Sequence, residues 1–429
     1  MNPVVLLLAA LILLIALKVP IAFSLGISGV LYMLMFPGDV SAAGLLDKMY
    51  MGIYNYTFLA VPFFILAGSM MNTAGISERI FNFALSLVGH IKGGLGHVNI
   101  IASIIFSGMS GSAVADTAGL GKIEIEAMKK AGYTPEFSAC ITAASATIGP
   151  IIPPSVTMVI YGVISGASIG RLFLGGVVPG FLMGFALMVL VYFQAKRDPE
   201  HFPSYPKPTV KTVWTSFKRA FLPLWAPIII LGGIIIGFVT PTEAGVLAVL
   251  YALVLGIFYK EFRFKDLKET LVETSKQVGA VMLILAGARV LSYVMTLQRV
   301  PVLLTTWMLS FTDNAAVVLL LINIAVLILG MFLNSSTILI LTVPIIQPIL
   351  QKYGIDLVHF GVVITLNVMI GMITPPLGVC LYVASDIAGV RFEKVLRDIV
   401  PFYIPLIVVL FLITYIPGLV LWLPNLLMK

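Results

Sequence analysis

Only two cysteines and four histidines occur in the 429 residues, and Asp, Glu, Lys and Arg together make up 10% of the chain. Cys140 and Cys380 lie in apolar runs and occupy unrelated places in the internal repeat described below, so they read as small buried side chains, not as a disulfide or a metal pair. His90, His97, His201 and His359 show no metal-ligand spacing and no Asp and Ser in register for a triad. Metalloenzyme and hydrolase chemistry are therefore left without residues to carry them. So low a charged fraction also excludes a soluble single-core domain. Aromatic residues do not interleave with a basic stripe, which removes nucleic-acid binding. Residues 1–17 have no cationic start and no small-residue cleavage site, and read as a retained first span.

What is abundant is apolar sequence, 60% of the residues. A helical span needs roughly 20 such residues, and the runs accommodate about ten crossings plus shorter re-entrant pieces. Long apolar runs without ten-residue alternation predict helices, not a barrel. The fold class is an all-α polytopic membrane protein. Spans are predicted at 3–17, 20–36, 56–72, 137–165 (interrupted), 169–195, 222–239, 243–259, 277–297, 357–387 (interrupted) and 399–424. The formal charge of +7 falls in interhelical loops, where the positive-inside rule places it.

Residues 108–179 reappear without a gap at 330–401. Gly108-Met109 matches Gly330-Met331, Gly132 matches Gly354, and Gly149 to Pro154 falls on Gly371 to Pro376. Ile65 to Gly68 echoes Ile284 to Gly287, extending the repeat N-terminally. Five spans per copy is odd, so the copies are expected to be inverted, with both termini outside. Charge agrees: Lys122, Glu124, Glu126, Lys129, Lys130 and Glu136 follow the first Gly-rich patch, whereas only Lys352 and Asp356 follow the second. Paired interfacial arms are expected at 76–98 and 298–313.

Each copy thus carries two helix-breaking patches, the pattern of a secondary transporter whose site lies where broken helices meet. Small-residue packing between helices explains one patch alone, but two at matching positions are harder to explain that way. Ser107 to Thr117 and Asn334 to Thr337 form hairpin tips lined by hydroxyl and amide groups. Prolines in the facing patches free carbonyl oxygens. Carbonyls and hydroxyls suit Na⁺, while half-helix N-termini near Asp116, Ser155, Thr337 and Leu377 suit an anionic group. Asp116 serves either as a functional acid or as a helix cap. Arg289, central in its span, either meets a substrate carboxylate or pairs within the structure. Thr240 to Glu243 reads as a structural helix cap. Gly119-Leu120-Gly121-Lys122 is no phosphate loop, because Ile123 stands where a Ser or Thr must hold Mg²⁺.

Ser107-Gly108-Met109-Ser110-Gly111-Ser112, the two proline patches and Thr240-Pro241-Thr242-Glu243-Ala244 together resemble the large membrane subunit of TRAP (tripartite ATP-independent periplasmic) transporters, over essentially the whole chain. The resemblance implies an elevator-type importer of organic acids, of the C4-dicarboxylate or sialic acid type, driven by a Na⁺ gradient across the bacterial inner membrane. It implies a small four-helix membrane subunit and a soluble periplasmic substrate-binding protein as partners. No four-helix segment precedes Met1, so the small subunit is expected as a separate polypeptide. Carried over by position, one Na⁺ site comprises Ser110, Ser112, Asp116 and the Gly149-Pro150 backbone, and a second comprises Asn334, Ser335, Thr337, Gly371 and Thr374. Substrate lies near Ser112, Ser155 and Thr157. The expected division is scaffold and arm over 1–98 and 222–313, transport-domain halves with their hairpins over 99–195 and 314–429, and a cytoplasmic connecting loop over 196–221. The rival reading is a stand-alone divalent-anion/Na⁺ symporter without a binding protein.

Overall fold

Backbone groups in lipid must pair within their own segment, and the computed structural model, which describes residues 3–262 and 264–428, does this with helices alone among the described residues. The chain opens with α1 (Pro3–Ala16), α2 (Ile21–Met35) and α3 (Ala42–Ile53). A 3₁₀ turn at Tyr56–Leu59 then runs into α4 (Ala60–Thr73), followed by α5 (Ile76–Val88). Next come α6 (Gly94–Ser110), α7 (Ala113–Ala118), α8 (Leu120–Lys130), α9 (Pro135–Ala146), α10 (Val156–Ser165) and α11 (Ile169–Arg197). Beyond an irregular stretch lie α12 (Val210–Ile235), α13 (Pro241–Phe258), α14 (Phe264–Leu297) and α15 (Val300–Phe311). The last group is α16 (Ala315–Gly330), α17 (Ser335–Lys352), α18 (Leu357–Gly371), α19 (Val379–Ala388), α20 (Phe392–Asp398), α21 (Val400–Tyr415) and α22 (Gly418–Leu427).

Helix boundaries follow the sequence repeat. α9 and α18 begin at Pro135 and Leu357, α10 and α19 at Val156 and Val379, and each pair is separated by a proline-containing break. Both breaks hold a cis Pro-Pro bond, Pro153-Pro154 and Pro375-Pro376. The copies differ where their sequences do. The return arm of the first hairpin is split into α7 and α8 at Gly119, whereas α17 runs unbroken past Pro344 and Pro348. α11 continues through Pro179, but its counterpart bends by 53° between α20 and α21, where Pro401 opens the second helix.

Among the described residues five helical segments are long and apolar enough to span alone: Tyr56–Thr73, α11, α12, α13 and α14, with the bent α20–α21 pair as a sixth. Eight further apolar helices have 10–17 residues, too short singly for a hydrocarbon core of about 30 Å. The ten predicted crossings are thus partly built from short pieces. Several expectations are corrected. The first arm ends at Val88, because left-handed Gly93 (φ 86°) starts a new helix at Gly94. The connecting loop is irregular only over 198–209, since Thr209 caps α12 by accepting from the Thr212 amide at 3.2 Å. The span expected over 399–424 breaks between α21 and α22, at Ile416-Pro417. α3, an amphipathic helix capped by Ser41, was not anticipated.

Two buried polar clasps tie each hairpin to the interrupted helix of its own copy. In the first, Asn99 of α6 donates to Thr142 Oγ1 at 2.7 Å, and Ser145 Oγ of α9 donates to Asn99 Oδ1 at 2.6 Å. In the second, Asn367 of α18 donates to Asn323 Oδ1 of α16 at 2.9 Å, and Asn323 donates to Thr414 Oγ1 at 3.0 Å. Ser145 and Asn367 are equivalent under the repeat. The copies also interlock: Lys129 Nζ donates to the Ala388 carbonyl at 2.7 Å, and the Tyr161 hydroxyl to the Leu357 carbonyl at 2.7 Å. Elsewhere α14 packs on α2, α3 and α4, and α4 on α13.

Candidate functional site

A cavity of about 320 Å³ opens where both hairpin tips, both interrupted helices and α4 and α14 meet. The first tip is shaped by Gly111, whose φ of 61° is left-handed and whose missing side chain leaves room for the Pro154 carbonyl oxygen. Ser112 caps α7 by accepting from the Ala115 amide at 3.4 Å. Ser110 Oγ donates to Asp116 Oδ1 and also accepts from the Ser112 amide at 3.3 Å. Asp116 is 2% exposed, and its Oδ2 faces Gly149 without a hydrogen-bond partner. A side chain at Gly149 would collide with that oxygen, so glycine there admits the carboxylate to the helix break. Ser110, Ser112, Asp116, Gly149 and Pro150 are therefore one cluster. A buried carboxylate oxygen left unpaired is expensive, and a hard cation is the partner that suits hydroxyl, carboxylate and freed backbone oxygens together.

The second tip is organised by Asn334, whose Oδ1 accepts from the Thr337 amide at 2.9 Å and the Thr337 hydroxyl at 2.7 Å, capping α17. Asn334, Ser335 and Ser336 line the cavity. Gly371 packs with its Cα against Gly330, so two backbones touch where any side chain would separate α16 from α18. The Leu377 amide donates to the Met331 carbonyl at 3.3 Å, tying the break to the hairpin. Thr374 Oγ1 donates to the Ile370 carbonyl at 2.7 Å. Asn334 and Ser335 thus line the cavity, whereas Thr337, fully buried and held to Asn334, and Gly371 and Thr374 do not.

Thr157 lines the cavity; Ser155 does not. Ser155 is fully buried, donates to the Pro150 carbonyl at 2.5 Å and accepts from the Met158 amide at 3.1 Å, so it closes the break and starts α10. The structure does not bring Arg289 to the site: its exposed side chain runs along Gly52 of α3, away from the cavity. Glu243 forms the expected capping box with Thr240. Ser69 and Gln277, which face the tips from α4 and α14, and Met369 and Met372 at the end of α18 complete the lining and were not among the expected residues. Gln277 left one signal, as a polar residue at the predicted start of its span. Among the described residues no Lys or Arg lines the cavity, whose polar side chains are hydroxyls and amides.

An all-helical membrane chain with a polar chamber at the meeting of broken helices defines a transporter. Residues 8–419 match the family described as "Tripartite ATP-independent periplasmic transporter, DctM component", and the chain belongs to that family as a TRAP transporter large permease. It is 47% identical over 408 residues to the sialic acid TRAP transporter large permease protein SiaM of Vibrio cholerae, covering 95% of each chain. It is 38% identical to the C4-dicarboxylate TRAP transporter large permease protein DctM of Pseudomonas aeruginosa, covering 94% of each. Among solved structures, the YdaH transporter of Alcanivorax borkumensis matches with a TM-score of 0.64 at 14% identity, covering 97% of this chain and 98% of that one, which is a likeness of fold. The protein is accordingly a multi-pass protein of the bacterial inner membrane.

Proposed function

We propose that this permease imports an organic acid in symport with Na⁺, receiving it from a periplasmic binding protein and working with a small membrane subunit. The observation that carries the reading is the unpaired Asp116 Oδ2 at the Gly149 break beside Ser110. Na⁺ there would neutralise the carboxylate and order the first tip, so substrate would meet a preorganised wall. The relatives are named for sialic acid and C4-dicarboxylates. A lining of hydroxyls and amides, without a cationic side chain among the described residues, favours the polyhydroxylated, singly charged acid, hydrogen-bonded by Ser112, Thr157, Ser335 and Gln277. The stand-alone symporter loses ground because the family is tripartite.

The interlocked halves 99–195 and 314–429 would move as one body against the scaffold 1–98 and 222–313, in an elevator cycle. The polar clasps and the Lys129–Ala388 and Tyr161–Leu357 bonds lie inside that body, whereas the scaffold meets it by packing of α14 on α17 and α4 on α6 and by a hydrogen bond from Asn72 to the Ala115 carbonyl at 3.4 Å, with Gln277, Ala280 and Val281 of α14 facing it across the cavity. Reconstitution into proteoliposomes with the small subunit and binding protein tests this. Uptake of labelled sialic acid should require an inward Na⁺ gradient and fall at least tenfold without it. Equal uptake with K⁺ on both sides would refute the coupling.

A further inference from the structure

A second cavity, of about 570 Å³, lies away from the hairpins, between α5, the first half of α12 and the end of α13. Glu78 and Asn82 of α5 face Thr215, Ser216, Lys218 and Arg219 of α12 across it. One wall is already balanced. Arg79 donates to the Gly75 carbonyl at 2.7 Å, reaches Glu261 at 3.5 Å and lies 3.8 Å from the Tyr259 ring centre. Lys218 and Arg219 have no ion-pair partner among the described residues; Lys218 Nζ stands 5.4 Å from the Trp214 ring centre. From His201 to Thr242 the sequence contains Lys207, Lys211, Lys218 and Arg219 and no Asp or Glu.

Immediately beside the basic pair α12 becomes aromatic. Trp214, Phe217, Phe221 and Trp225 form a ladder along one helix face, with successive ring centroids 5.7, 5.6 and 6.0 Å apart. Trp214, Phe221 and Trp225 are 56%, 41% and 42% exposed, rings left open on the outer surface of a membrane helix. Aromatic rings and basic side chains at the end of an apolar run mark the headgroup level of a bilayer, and there they attract anionic lipid.

We propose that this cavity holds the headgroup of an anionic glycerophospholipid of the phosphatidylglycerol type. The phosphodiester lies between Lys218 and Arg219, the glycerol hydroxyls donate to Glu78 and Asn82, and the acyl chains follow the Phe221–Trp225 face. Two cations against the one uncommitted acid, Glu78, leave a net positive charge that a monoanionic phosphodiester neutralises. A choline headgroup, with no hydrogen on its nitrogen, offers Glu78 and Asn82 no donor. The lipid thereby bridges the arm α5 to the scaffold helix α12.

Native mass spectrometry of the full-length chain in detergent, titrated with dioleoyl phosphatidylglycerol and separately with dioleoyl phosphatidylcholine, tests the assignment. Phosphatidylglycerol adducts are expected at concentrations at least tenfold lower than phosphatidylcholine adducts. The Lys218→Ala/Arg219→Ala variant should lose that preference, as should the milder Lys218→Gln in part, while Lys265→Ala/Lys268→Ala on the charged start of α14 should keep it. Equal adducts with both lipids, or a preference surviving the double variant, overturns the proposal. Thermal stabilisation by inorganic phosphate equal to that by phosphatidylglycerol would mark a plain anion site and overturn it as well.

Discussion

Asp116 concentrates what one residue does here: it stands in the first tip, its Oδ1 held by Ser110 and its Oδ2 turned to the Gly149 break without a partner. Asp116→Asn keeps the shape and removes the charge. Apparent Na⁺ affinity for uptake is expected to fall by about tenfold or more, about 1.4 kcal/mol, with melting temperature in Na⁺-free buffer unchanged or raised, since an amide is cheaper to bury than an unpaired carboxylate. A Na⁺ dependence equal to that of the parent would remove Asp116 from the coupling site. The residue was legible in the sequence because an acid inside apolar sequence attracts notice on its own. Arg289 attracted the same notice for the same reason, yet it lies along Gly52 outside the cavity. Intramembrane charge marks expense; which neighbour offsets it is a fact of tertiary packing. Ser69 and Gln277 went unseen for the complementary reason, that a lone neutral polar residue in a span carries no such mark.

At the scale of elements, breaks were read more reliably than lengths. Gly149 to Pro154 and Gly371 to Pro376 cannot continue a helix whatever surrounds them, and α9–α10 and α18–α19 are interrupted there as expected. α3 was missed because its glycines and the Asp47-Lys48 pair interrupt the apolar run, and it becomes a helix by packing on α14. α12 and α14 begin earlier than predicted because helix continues through charged residues beyond the apolar part of each. The first tip depends on local backbone in a way that can be measured. Gly111 combines a φ of 61° with contact to the Pro154 carbonyl, so Gly111→Ala meets both a disfavoured conformation and a collision. A loss of about 1–3 kcal/mol is expected, read as a lower melting temperature of the purified protein. Gly132→Ala, also at positive φ but with open space around it, should lose less. Equal losses at the two glycines would show that conformation alone, not the fit of tip to break, sets the penalty.

For the whole molecule the consequential feature of the proposed cycle is that the cavity would be shared between two bodies. Ser112, Thr157 and Ser335 stand on hairpins and broken helices that are clasped and cross-bonded to one another, while Ser69 and Gln277 stand on α4 and α14, which pack mainly with α13, α2 and α3 and touch the hairpins at α6 and α17. If substrate crosses the membrane by travel of the first body along the second, then Gln277 meets the second tip in only part of the cycle, and joining them must stop transport. Both native thiols are fully buried, so Gln277→Cys and Ser336→Cys can be introduced with the parent cysteines left in place. A bifunctional thiol reagent bridging the pair is expected to reduce uptake at least tenfold, reduction of a cleavable bridge to restore it, and each variant carrying only one of the two substitutions to be indifferent to the same treatment. A bridged double variant that still takes up substrate at the parent rate would mean that the tips reach both sides without moving past α14, and transport would then have to proceed by local opening of the tips alone.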